Sequence, residues 1–308
     1  MTRARGLADA GLLLAFGALV LLLLLWSPAF RAPENIMNIG RGVAILGLAA
    51  FAMTFVILLA EIDLSVGAVA SASGVVAALA LAGGWGWLAV PAALLAGAAF
   101  GVLNGLLTVH AAVPSFIATL VSYFIAQGAA LTLTGGRTIL FEAPTLRATF
   151  ATGSVLGLNA ALLWLLAAFA VLWWLLARTR FGAHVHAVGG GAGSARMLGL
   201  AVDRIRLLVF AGTGALMGLV GLILISRIGN ARSDGAVGLE FDAIAAVVIG
   251  GTALSGGRGS LPRTALGVLL IGVLNNALAI LDVDYNLQQV IKGVLVVLVV
   301  LADRWARR

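Results

Sequence analysis

The chain has 308 residues, of which 62% are hydrophobic and 10% are charged, and its formal net charge is +7. An ordinary soluble domain is roughly 45–50% apolar and 25% charged, so this composition excludes a soluble enzyme of normal size and predicts an integral membrane protein. The absence of cysteine excludes disulfides, thiolate chemistry and cysteine-ligated metal sites. A basic chain can indicate nucleic-acid binding, but basic loops also orient membrane proteins, so we expect no nucleic-acid partner.

Ten apolar segments, separated by polar links, follow one another along the chain. A spanning helix needs about 20 predominantly apolar residues, and the 40 glycines allow such helices to pack closely. The predicted spans are 9–26, 36–60, 64–82, 88–109, 115–134, 158–177, 207–225, 241–254, 264–281 and 287–301. The first resembles a secretory signal peptide, but its apolar run is long and Ser27-Pro28-Ala29 is a poor cleavage signal. We therefore predict an all-α polytopic membrane protein of about ten transmembrane helices, with residues 1–308 forming one domain.

The segment 178–206, between the sixth and seventh predicted spans, is rich in charge. Its basic residues are Arg178, Arg180, His184, His186, Arg196, Arg204 and Arg206. Unpaired charge and irregular backbone are costly in lipid, so we expect a soluble loop. The basic residues favour one side of the ten-span arrangement and the acidic residues the other, which places this loop and both chain termini in the cytoplasm. Because His184 and His186 do not share a helix face, no metal site is expected.

An internal repeat links two distant parts of the chain. Gly101-Val102-Leu103-Asn104 recurs as Gly272-Val273-Leu274-Asn275, and each copy follows a Glu-x-Asp sequence, Glu61-Ile62-Asp63 and Glu240-Phe241-Asp242. Five predicted spans separate the copies, an odd number, so the two halves would be inverted. We predict inverted repeats at 61–134 and 240–301, an arrangement typical of transporters with a pathway at the repeat interface.

Two interpretations remain open for the polar residues of these repeats. Asp63 and Asp242 open helices, where a carboxylate is favoured by the helix dipole and can cap free N–H groups. Alternatively, they form a proton or cation site, because acids inside a membrane are commonly functional. Asn104, Asn275 and Asn276 either bond across helices or line a polar path.

The run Gly189-Gly190-Gly191-Ala192-Gly193-Ser194 invites comparison with a phosphate-binding loop. A Walker-type loop requires a lysine, and the chain's only lysine is Lys292, in the last predicted span. The strand of a dinucleotide-binding unit is also absent from the pattern. We therefore expect no cofactor on this chain, and any nucleotide would be bound by a partner.

Three stretches of sequence resemble the permease subunits of carbohydrate ABC importers, of the ribose, xylose, rhamnose and autoinducer-2 type. They are 61–67 (EIDLSVG, which includes Ser65), 240–260 (EFDAIAAVVIGGTALSGGRGS) and 288–293 (QQVIKG). The resemblance implies a type II importer fold, a second permease copy, two cytoplasmic ATPases and a periplasmic solute-binding protein.

The same resemblance implies that a coupling helix near 194–200 docks into a groove of the ATPase. The coupling residues it implies are Gly182, His184, Gly189, Ser194, Ala195, Arg196 and Gly199. The chain departs from the family at Gly191, where an asparagine is usual, and at Glu61, where a glycine is usual. The first departure removes a likely helix cap, and the second is expected to alter packing between the second and third spans.

The expected function is therefore that of a non-catalytic permease subunit, in a bacterial inner membrane, that imports a sugar or sugar-like solute. The alternative is a proton-coupled secondary transporter that uses Asp63 or Asp242, which would move solute without any ATPase. A membrane scaffold, a third class, would move no solute with any partner.

Overall fold

The computed structural model describes residues 14, 16–284, 287–291, 293, 294 and 297. The helices are α1 (Phe16–Trp26), α2 (Pro28–Arg31), α3 (Pro33–Leu58), α4 (Val66–Ala82), α5 (Ala89–Val109), α6 (Ser115–Thr134), α7 (Pro144–Arg147), α8 (Ala160–Arg178), α9 (Arg180–Gly190), α10 (Ala192–Met197), α11 (Val202–Ile228), α12 (Leu239–Ile249) and α13 (Leu261–Ile280). A 3₁₀ turn, Gly86–Leu88, precedes α5, and a π turn, Ala148–Thr152, follows α7. Residues 287–291 are also helical.

Among the described residues, six helical segments are long and apolar enough to cross a membrane. They are Pro33–Leu58, Gly86–Val109, Ser115–Thr134, Ala160–Arg178, Val202–Ile228 and Leu261–Ile280, while Phe16–Trp26 and Val66–Ala82 are shorter apolar helices. The polytopic all-α class is thereby confirmed. The predicted eighth span is an 11-residue helix, α12. Of the predicted tenth span, residues 287–291, 293, 294 and 297 are described, whereas Lys292 lies outside the described residues.

Helix α3 runs through the middle of the core. Every residue from Val43 to Leu58 is buried, and the helix packs against α8, α11, α12 and α13. A helix that is apolar all round is stable only when neighbours cover every face, which accounts for its central position.

Glycines set the tightest helix contact, between α5 and α11. A Cβ added to Gly97 would overlap the backbone oxygen of Gly214, and one added to Gly101 would overlap that of Phe210. Small residues spaced by four allow backbones in a membrane to approach this closely. The α5–α11 pair, with α4 beside it, is therefore the most closely packed group of helices in the bundle.

A simple ten-span arrangement would leave the link between α11 and α12 outside the bundle, but in the structure this link enters the bundle. Its first part forms β4 (Asn230–Ala231), which pairs antiparallel with β1 (Ile139–Leu140). The link then turns inward, where the buried Ala236 N–H donates to Ser71 Oγ of α4 at 2.9 Å. Helix α12 consequently begins inside the bundle as a half-length helix. A second short hairpin, β2 (Ser154–Val155) with β3 (Leu158–Asn159), precedes α8.

Candidate coupling and translocation sites

The charged segment 178–206 forms two short helices and the first turn of α11 rather than an irregular loop. Thr179 is the N-cap residue of α9, and its Oγ1 accepts from Gly182 N at 3.4 Å. Gly182 and Gly189 are required by packing, because a Cβ on the first would overlap the Leu176 oxygen and a Cβ on the second the Leu58 oxygen. The run of glycines thus begins at the C-terminal end of α9, where Gly189 packs against the end of α3.

Helix α10 projects from the end of the bundle that holds this segment, which we call the coupling end. It spans Ala192–Met197, two residues earlier than the expected helix near 194–200, and ends where Gly199 takes φ +80°. Gly191 provides no side-chain cap, in keeping with the departure noted at that position. Ala195 is buried and holds the helix to its neighbours, whereas Ser194 is exposed.

The tip of α10 carries two apolar side chains that the sequence analysis missed. Met197 is 85% exposed and Leu198 is 80% exposed. Arg196 Nη2 beside them forms an exposed ion pair with Asp203 Oδ1 at 2.7 Å. Exposed apolar groups of this kind mark interaction surfaces. The same segment also contains the apolar runs Ala187-Val188 and Leu200-Ala201-Val202, so sequence alone did not single out Met197 and Leu198.

Three chain segments meet at the C-terminal end of α3, directly behind the coupling helices. The Leu58 oxygen accepts from Gly257 N at 2.9 Å, and Gly189 lies against the same oxygen. A Cβ on Gly256 would lie 2.8 Å from both Ala60 N and Cβ. The coupling helices therefore contact the break between α3 and α4 and also the turn between α12 and α13.

An ion pair links the same break to the start of α11. Arg206 Nη2 lies 3.0 Å from Glu61 Oε1, and the two side chains are 22% and 11% exposed. Glu61 was expected to alter packing between the second and third spans. That expectation stays a prediction, and the structure adds that the Glu61 carboxylate reaches the coupling segment.

The first Glu-x-Asp copy leads into a closed polar cluster at the start of α4. Asp63 is 2% exposed, and its Oδ1 accepts from Ser65 N at 2.8 Å and from Ser65 Oγ at 2.6 Å. Asn104 Nδ2 of α5 donates to the same hydroxyl at 2.9 Å. Asp63 is thus used in turning the chain into α4, and this geometry favours the structural role over a proton site.

The second copy has a more open arrangement at the start of α12. Asn275 Nδ2 of α13 donates to Asp242 Oδ2 at 2.9 Å, and both residues are half-buried. Two residues before Asp242, Glu240 Oε1 accepts from the N–H of Gly238, the N-cap residue of α12, at 3.2 Å. Glu240 is 3% exposed, and no cation among the described residues pairs with it.

Asn276, next to Asn275, faces another helix. It exchanges two hydrogen bonds with Asn35 of α3, at 2.7 and 3.1 Å. Cross-helix bonding therefore describes Asn276 and Asn104, whereas Asn275 also lines a cavity.

That cavity has a volume of about 330 Å³. It lies between α3, the end of α11, the inward link, the start of α12, the C-terminal part of α13 and the helical residues 287–291. Its lining residues are Gly42, Ile45, Leu46, Leu224, Arg227, Asp234, Gly235, Ala236, Val237, Gly238, Leu239, Asp242, Asn275 and Gln289. Arg232 donates twice to Asp234 at 2.9 Å and holds the pKa of that carboxyl below its usual range, so Asp234 is ionised at neutral pH.

No group of three or more metal-ligating side chains occurs within the part of the chain that the structure describes. His186 Nδ1 is 2.9 Å from the Gly182 oxygen, and His184 is half-buried on α9.

The helical bundle, its projecting α10 and its polar cavity together define a transport permease. A family model described as the permease component of branched-chain amino acid transport systems matches residues 35–300. The ribose import permease of Haemophilus influenzae is 39% identical over 94% of this chain and 92% of its own length. That of Bacillus subtilis is 41% identical over 93% and 89%. The L-arabinose ABC transporter permease of Azospirillum brasilense is 33% identical over 99% and 91%. No solved structure matches the chain.

The chain belongs to this permease family. It is the membrane-spanning permease subunit of an ABC importer, in the group that includes the ribose, arabinose and xylose permeases, and a multi-pass protein of the inner membrane. The energy for transport comes from an ATPase partner, and the proton-coupled alternative is not favoured.

Proposed function

We propose that this permease imports a sugar of pentose size. The description of the family model names amino acids, but relatives that match this chain almost from end to end are named for ribose, arabinose and xylose. The cavity of about 330 Å³ beside α12 mixes carboxylate, amide and guanidinium groups with aliphatic side chains. Such a lining suits a polyhydroxylated solute better than a branched aliphatic one.

The complete importer would hold two permease copies, two ATPases and a periplasmic solute-binding protein. This chain would contribute no catalysis and bind no cofactor, since ATP would be held by the ATPases. The coupling end and both termini would face the cytoplasm, because the arginines of 178–206 and Arg258 of the α12–α13 turn share that end.

The proposal that an ATPase drives this permease through α10 rests on the chain of contacts behind that helix. An ATPase that moved α10 would displace α9, and through Gly189 it would press on Leu58 and on the Gly256-Gly257 turn. The break between α3 and α4 and the turn between α12 and α13 would then move together as rigid elements, which is the kind of motion that alternating access requires.

The test is to replace Met197 and Leu198 by glutamate in the assembled importer. If α10 docks in the ATPase, burying two carboxylates there costs several kcal/mol, and solute-stimulated ATP hydrolysis and uptake fall by at least about tenfold. The matched control is Leu156→Glu, since Leu156 is 98% exposed at the other end of the bundle. Arg196→Glu should also abolish uptake, because it removes the Arg196–Asp203 pair and places a negative charge at the dock. Normal ATPase stimulation in the Met197/Leu198 variant would contradict the proposed docking.

A further inference from the structure

We infer that the cavity beside the start of α12 is a solute-binding station within this permease chain, and that its ligand is a neutral, polyhydroxylated molecule of monosaccharide size. The inference rests on the proposed function and deepens it. It places a contact site for the solute among residues of a single chain.

The size and position of the cavity carry the first step. Ligand pockets commonly measure roughly 300–1,000 Å³, so a cavity of about 330 Å³ suits a small molecule. It opens where α11 ends, where the inward link turns, and where the half-length α12 begins. Transporters commonly place their solute sites at such interrupted helices, where backbone groups are free to bind.

The polar lining indicates the chemistry of the ligand. Asp234 and Asp242 supply acceptors, Arg227 supplies donors, and the amides of Asn275 and Gln289 supply both. A sugar hydroxyl both donates and accepts, so it can pair with every one of these groups. A solute with one net charge would instead meet a like charge on one wall.

Asn275 gives this lining a specific point of attachment. Its Nδ2 donates a hydrogen bond to Asp242 Oδ2, while its Oδ1 is buried and has no hydrogen-bond partner among the described residues. The corresponding Oδ1 of Asn104 also lacks a partner there, but Asn104 is only 1% exposed and lines no described cavity. A small reorientation of the Asn275 amide within the cavity would allow a ligand hydroxyl to donate to its oxygen.

The aliphatic lining completes the match. Ile45 and Leu46 of α3, with Leu224, Val237 and Leu239, border the polar groups. The C–H face of a sugar ring can pack on such side chains while its hydroxyls face the carboxylates and amides. A branched-chain amino acid is the competing ligand, because Arg227 and Asp242 could hold its carboxylate and ammonium groups.

The absence of cysteine from the sequence allows a direct test. Val237 lines the cavity and is 39% exposed, so Val237→Cys gives this chain a single thiol, whose alkylation can be followed on the permease in the assembled importer. D-ribose, D-xylose and L-arabinose are added in turn, and the rate of alkylation by N-ethylmaleimide is measured. At least one sugar should slow alkylation about threefold or more, and the control Leu156→Cys should be unaffected.

A second measurement compares two neighbouring asparagines. Asn275→Ala should lower the number of sugar molecules taken up per ATP hydrolysed, because the solute loses a contact on its path. Asn276→Ala removes the pair with Asn35, which lies away from the cavity, and should leave that ratio unchanged even if less protein accumulates. Equal ratios in the two variants would contradict the inference.

The outcomes separate this inference from the proposed function. Sugar uptake by the unsubstituted importer without sugar protection of Val237→Cys overturns the station alone. Leucine and inorganic phosphate are added in the same way as the sugars. If leucine protects the thiol and no sugar does, the cavity is an amino-acid site; if phosphate protects it and no sugar does, the cavity is a site for a phosphate group such as that of a lipid. Either result overturns the inference. Failure of the unsubstituted importer to take up any sugar overturns both.

Discussion

The two Glu-x-Asp segments have the same sequence pattern but different surroundings. At the start of α4, Asp63 is 2% exposed and bonded to Ser65, and Glu61 pairs with Arg206 of the coupling segment. At the start of α12, the buried acid is the glutamate and not the aspartate. Glu240 is buried and accepts from the Gly238 N–H, and the half-buried Asp242 borders a cavity.

Both copies nevertheless share one contact. The asparagine of each Gly-Val-Leu-Asn sequence reaches the acidic helix start, through Ser65 for Asn104 and directly to Asp242 for Asn275. The shared bond supports the predicted duplication, which stays a prediction. The difference fits our proposals that the first copy links the bundle to the coupling segment and that the second contacts solute.

The largest expected effect comes from removing the buried acid of the first copy. In Asp63→Ala, the Ser65 N–H and the Ser65 hydroxyl both lose their acceptor, and the free energy of unfolding should fall by about 3 kcal/mol, since each buried unsatisfied group costs about 1–3 kcal/mol. Thermal unfolding in detergent measures this loss. Asp242→Ala should destabilise the protein less, and an equal loss would remove the distinction between the copies.

The next effect tests Glu61 as a link to the coupling segment. Glu61→Arg opposes two guanidinium groups, and because both side chains keep some exposure we expect a cost of about 1–2 kcal/mol, less than for a fully buried pair. ATP-driven uptake should fall while the permease still inserts in the membrane. The double variant Glu61→Arg/Arg206→Glu should recover most of the uptake, and a double variant as inactive as the single one would argue against the link.

The smallest effect concerns the exposed pair beside the cavity. Arg232 holds the pKa of Asp234 below its usual range by hydrogen bonding, so the pair stabilises the fold above that range and loses its effect as pH falls through the lowered pKa. Arg232→Gln should therefore lower the melting temperature slightly at pH 7. The difference from the parent should disappear well below pH 4, about where a free aspartate titrates. A difference that persists in acid would have another cause.

Parts of the candidate sites followed from sequence because they depend on local chemistry. The arginine-rich segment could not lie in lipid, and the structure forms it into α9 and α10 at one end of the bundle. The pairing of Asn104 and Asn275 with the acidic helix starts lies within the predicted repeats. The apolar tip of Met197 and Leu198 was recognisable only once Ala195 was seen to face inward.

Other features could not be obtained from sequence, because they depend on which distant segments meet. Glu61 and Arg206 are 145 positions apart (206 − 61), and the sequence around either residue does not indicate that the two form an ion pair. The contact of Gly189 with the Leu58 oxygen also joins segments that are distant in the chain, and the glycine run itself gave no sign of it. The inward turn of residues 232–238 replaced the expected external loop because Ser71 offers a buried acceptor to Ala236.

The sequence by itself determined that this protein is a helical membrane protein with its charge gathered in one segment, because hydrophobicity over some 20 residues and the cost of burying charge are local properties. Only the tertiary structure decided which acid pairs with the coupling segment and which lines a cavity. Identical motifs acquire different roles from the neighbours that packing brings to them, and those neighbours are set by close backbone contacts between helices far apart in the chain.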